Sequence, residues 1–81
     1  MLIKVRQAKH GRWGESHRNW VVTEDILTGA EPVAPWNFRL HSTIRTYTCT
    51  NWTDAMRIAD DLANGWTIDP WRVIALSERR V

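Results

Sequence analysis

Apolar and polar residues alternate at the start of the chain, in Leu2-Ile3-Lys4-Val5-Arg6-Gln7, which is the period of a half-buried strand. Ile3 and Val5 then face a core, and Lys4 and Arg6 face water. The polar stretch from Lys9 to Arg18, with Gly11 and Gly14, reads as a loop. Trp20-Val21-Val22-Thr23 is β-branched and aromatic, a second strand. The two strands pair as an antiparallel hairpin with a long basic tip.

Gly29, Pro32 and Pro35 forbid a long helix or a central strand between Thr28 and Leu40. This segment is expected to be irregular and to wrap the domain, with Trp36 and Phe38 tucked against it. Thr43 to Thr50 has the Thr, Ile and Tyr content of a third strand.

Asn51 is a preferred N-cap, and Asp54 favours a first helical turn through the helix dipole. Trp52, Ala55, Met56, Ala59, Leu62, Ala63 and Trp66 then recur at helical spacing and predict an apolar stripe. Thr53, Asp54, Arg57, Asp60, Asp61 and Asn64 fill the other face, with Arg57 placed to pair with Asp61 at i, i+4. Gly65 is a natural stop. A last strand is expected over Trp71 to Leu76, before the charged Glu78-Arg79-Arg80.

The element order is β-β-β-α-β with an irregular segment before the third strand, and it predicts one α+β domain over residues 1–81. The expected architecture is a small single-layer mixed sheet of three or four strands with one helix packed on one face. The last strand–helix–strand unit is long enough for a right-handed parallel crossover. One helix leaves the other sheet face for the 28–42 segment, a partner or a second copy to cover.

Composition sharpens this picture at one point. The chain of 81 residues holds six tryptophans. A domain so short cannot easily bury them all, so some should build the core and others should serve as contact anchors. Net charge is only +2, yet the cations Lys4, Arg6, Lys9, Arg12 and Arg18 cluster on the first hairpin, while Asp54, Asp60 and Asp61 mark the helix. No apolar run reaches the length of a membrane span, and the opening residues lack the apolar core of a signal peptide. Cys49 is the single cysteine, which excludes an intramolecular disulfide and suits a reducing cytoplasm. Nine arginines against two lysines suit a GC-rich genome, such as that of an actinobacterium or a phage of one.

Candidate chemistry is sparse. His10, His17, His41 and Cys49 are the soft metal ligands, without a metal-binding spacing. Cys49, late in a strand, reads as a small core hydrophobe rather than a nucleophile. No phosphate-binding or dinucleotide fingerprint occurs. The chain is therefore expected to be no enzyme and to use neither cofactor nor metal.

The 9–18 loop interleaves cations with Trp13. It suits a protein contact, or phosphates with a base stacked on the indole, or a solvated loop whose Trp13 folds back onto the sheet. The expected function is a small protein–protein interaction or regulatory module acting by binding, in a setting such as a phage accessory protein. Its contacts are Arg12, Trp13 and Arg18, with Trp36 as a further anchor, and self-association as a homodimer is expected. The alternative is a nucleic-acid-binding module using Lys4, Arg6, Lys9, Arg12, Trp13 and Arg18.

Overall fold

The computed structural model describes residues 1–9 and 18–81. Strand β1 spans Leu2–Lys9, β2 Arg18–Ala34 and β3 Asn37–Cys49. Helix α1 spans Trp52–Asn64, a 3-10 turn covers Pro70–Arg72, and β4 spans Ala75–Arg80. The four strands form one sheet in the order β1-β2-β3-β4. With α1 against it, the chain has a small α+β fold.

Helix α1 forms where its caps dictate. The Asn51 side chain accepts the Asp54 N–H at 2.8 Å, satisfying one of the free amides of the first turn. At the other end Gly65 adopts φ 70°, a left-handed conformation. Its N–H reaches Leu62 O at 3.3 Å, and the Trp66 N–H reaches Asp61 O at 2.8 Å. This paired closure consumes the last carbonyls of the helix.

The core lies between α1 and one face of the sheet. Ala55, Ile58 and Leu62 from the helix meet Val22, Tyr47 and Cys49 from the sheet, with Ile3, Val5, Trp20, Ala59, Ile68 and Val73 packed around them. The expected stripe is rotated: Ile58 is at its centre, while Trp52, Met56 and Trp66 are exposed. Asp61, expected to face solvent, is buried, and its carboxylate forms an ion pair with Arg57, Nε to Oδ1 3.3 Å. Steps of three and four residues from Ala55 to Ile58 and Leu62 select a narrow face, so large apolar residues beside it stay outside.

All three strand pairs are antiparallel. The sheet is thus not mixed, and the parallel crossover after β3 does not form. The cause is the segment after Gly65, which runs back along the helix instead of entering the sheet. Arg72 Nη1 reaches Asp54 Oδ1 in the first turn of α1 at 2.8 Å, and the Ile74 N–H donates to Thr48 O at 2.8 Å. The chain therefore enters the sheet beside the end of β3 and must run opposite to it. The last strand starts at Ala75 rather than Trp71, because Pro70 opens a 3-10 turn there.

The largest departure from expectation is the 28–40 segment. It does not wrap the domain, and neither Trp36 nor Phe38 is tucked in. Strands β2 and β3 continue past the end of the sheet as a two-stranded arm that turns at Pro35-Trp36. Strand β1 stops pairing at Asp25 and β4 at Thr43, so among the described residues the arm has no third strand and both of its edges are open. Pro32 need not donate to a further neighbour. Shifts in pairing between Leu27 and Gly29, and between Pro32 and Ala34, absorb Thr28 and Val33 as bulges.

Candidate interaction surface

Strand alternation sorts the arm into two faces. Tyr47 and Cys49 point into the core, so Thr43, His41 and Arg39 share the helix side. Ile44, Leu40 and Phe38 lie on the opposite, open side. The register adds Pro32 opposite Phe38, Ala30 opposite Leu40 and Leu27 opposite Ser42 to the open side. The polar side carries a contact between His41 Nε2 and Glu31 Oε2 at 3.2 Å. The open side is apolar and exposed, and Trp36 at the tip is 90% exposed.

The open side continues onto the body of the sheet. There Leu2, Lys4, Thr23, Asp25 and Ile44 line a depression of about 200 Å³. Lys4 and Arg6 are exposed on this face, as the alternation of β1 predicts, while Ile3 and Val5 are half-buried beneath α1. Around the helix a second apolar surface exists. A groove of about 380 Å³ runs between the return segment and β4, lined by Tyr47, Ile68, Val73, Ile74 and Leu76 among others. Trp52, Trp66 and Trp71 are exposed as well. Among the tryptophans of the described residues, only Trp20 packs against the core.

The predicted contact residues are not gathered in one place. Arg12 and Trp13 lie outside the described residues. Lys9 and Arg18 are the last pair of the β1–β2 ladder, at the opposite end of β2 from the arm. Seventeen residues of β2 at ~3.3 Å each separate Arg18 from the Trp36 turn by roughly 50 Å. That matches the 53 Å long axis of the molecule. Leu2, Leu27, Phe38 and Leu40 were missed by sequence reasoning. The apolar–polar alternation of Phe38-Arg39-Leu40-His41 is the signal that marks Phe38 and Leu40.

Polar chemistry concentrates on the helix side. Glu24 is buried, and Arg45 Nη1 lies 3.7 Å from its Oε1, too long for a hydrogen bond. That oxygen has no hydrogen-bond partner among the described residues. Burial, then the Glu24 charge, pushes the Tyr47 hydroxyl above its usual range. A cleft of about 480 Å³ at the root of the arm mixes charges from Arg45, Glu78 and Arg80 with His41. Cys49 is fully buried and donates to Trp20 O at 3.4 Å. Burial, then the Asp54 charge, raises its pKa, so it stays a thiol and packs as a small hydrophobe.

Among the described residues no group of three His, Cys, Asp or Glu side chains could hold a metal ion. No helix among them is long and apolar enough to cross a membrane. Comparison with known protein families, characterised proteins and solved structures finds no match to this chain.

Proposed function

We propose that the chain is a small protein-binding module that acts sterically, without cofactor or turnover, and that the open side of its β-arm is the contact element. Trp36 carries this reading: an indole 90% exposed at the tip of a two-stranded ribbon. A two-stranded ribbon is marginal in water by itself, and exposed large apolar side chains in a row mark contact surfaces. Tryptophan is among the residues that dominate binding energy at such surfaces. Arg18 stands at the far end of β2 from the arm and would belong to a separate contact. A cytoplasmic setting fits a single buried thiol.

The test is affinity capture from the source cell with the wild-type chain and with Trp36→Ser, each with and without nuclease, read by mass spectrometry. The expected result is a protein retained after nuclease treatment and lost with Trp36→Ser. Capture that disappears with nuclease and ignores Trp36→Ser transfers the function to the nucleic-acid reading through Lys4 and Arg6.

A further inference from the structure

The arm ends in a knob, and its open side runs back to a hole. Trp36 is the knob, standing free at the tip. The hole is the depression of about 200 Å³ on the body of the sheet, lined by Leu2, Lys4, Thr23, Asp25 and Ile44. A cavity of about 150 Å³ is enough to hold benzene, so the hole has room for the six-membered ring of an indole. Its polar groups suit that ring. Asp25 pairs with no cation among the described residues, and its carboxylate can accept the indole N–H. The Lys4 ammonium can lie against the ring face.

Knob and hole are spaced for each other. Trp36, just before β3, is eight residues from Ile44, about 26 Å at the rise of a strand. Leu40 stands midway, on the same side. A two-fold axis parallel to the sheet and above its open face, perpendicular to the strands and passing over Leu40, brings each Trp36 above the other copy's Ile44. Leu40 then meets Leu40.

We propose that the partner of the arm is a second copy of this chain, docked open face to open face with antiparallel arms, each Trp36 seated in the depression of the other copy. This rests on the reading of the arm as the contact element and names what it contacts. The area suffices. Leu2, Leu27, Trp36, Phe38 and Leu40 are each more than half exposed and offer roughly 500 Å² of apolar surface per copy. Two copies thus reach roughly 1,000 Å² before any polar rim is added, the size at which specific interfaces begin. Facing sheets sit about 10 Å apart with strands near alignment, a geometry that two-fold related ribbons can adopt.

Sedimentation equilibrium of the full chain from low to high micromolar tests this, with circular dichroism to check that each variant keeps its fold. The wild-type chain sediments as a dimer. Trp36→Ser weakens association at least a hundredfold, because a two-fold contact loses the same anchor twice. Leu40→Glu sets two carboxylates face to face on the axis and gives a monomer. Trp71→Ser, on the segment returning from the helix, leaves the dimer intact. A wild-type chain that stays monomeric at high micromolar concentration overturns self-docking, and the capture experiment with Trp36→Ser then decides separately whether the arm binds another protein. A dimer that survives both Trp36→Ser and Leu40→Glu also overturns it. If Trp71→Ser dissociates that dimer, the contact lies at the groove beside β4.

Discussion

Ile58→Ala tests whether the core is where the helix and sheet place it. Ile58 is fully buried, among the largest side chains with no exposure, and packs in the cluster of Val22, Tyr47, Cys49, Ala55 and Leu62. The substitution removes three buried carbons at ~0.8 kcal/mol each. It also leaves a cavity costing ~24 cal/mol per Å³ that the surroundings fail to fill. Alanine returns a few tenths of a kcal/mol, roughly 0.4, through its better helix propensity. The expected loss is about 3 kcal/mol, inside the ~2–5 kcal/mol range for Ile→Ala in cores.

That is a large share of what a chain of 81 residues holds, since ~0.05–0.15 kcal/mol per residue amounts to roughly 4–12 kcal/mol in all. Urea denaturation followed by circular dichroism should show the midpoint falling with the slope unchanged. Met56→Ala, half-exposed on the same helix, serves as the control and should cost under about 1 kcal/mol. Equal losses for the two variants, or a loss under about 1 kcal/mol for Ile58→Ala, would refute this placement of the core.

Gly65→Ala should cost about 1–2 kcal/mol in the same assay. A Cβ there meets no atom within 4 Å, so the cost is that of left-handed backbone alone. Alkaline titration should lower stability. Cys49 and Tyr47 both have folded pKa values raised above the ordinary 9.0 and 10.0. Their contribution is complete below those values and is lost as pH rises from there through the raised ones, where the unfolded chain already ionises. Tyr47→Phe should flatten the part of that loss above pH 10, and an unchanged alkaline profile would contradict it. A short single-stranded oligonucleotide should bind weakly in an anisotropy titration. Tight binding whose log affinity falls steeply with log salt, by ~0.7 per phosphate contact, would instead favour the cationic first hairpin as the functional surface.

The parts of this fold that rest on local chemistry were legible in the residues. Asn51 and Gly65 bound the helix, and the alternation of Ile3 and Val5 with Lys4 and Arg6 sets the faces of β1. Cys49 packs in the core, as its place late in a strand suggests. What depended on long-range geometry was not legible. Pro32 and Pro35 do exclude a central strand, but an open edge tolerates Pro32 and the turn takes Pro35, and nothing local distinguishes an arm from an irregular loop. The direction of β4 hangs on the Arg72–Asp54 and Ile74–Thr48 contacts, eighteen and twenty-six residues apart in the chain. Composition implied that some tryptophans are exposed, without marking Trp36 as the one at the end of a ribbon.

Nuclear magnetic resonance of the ¹⁵N-labelled chain over a concentration series tests the central claim, that the open side of the arm is the contact surface, most directly. The account predicts that the Trp36 indole N–H signal and the amides of Leu2, Asp25, Leu27, Leu40 and Ile44 shift together as concentration rises. The amides of α1 and of the return segment should stay in place. Shifts confined to Trp71, Ile74 and β4, or no shift up to high micromolar concentration, would contradict it.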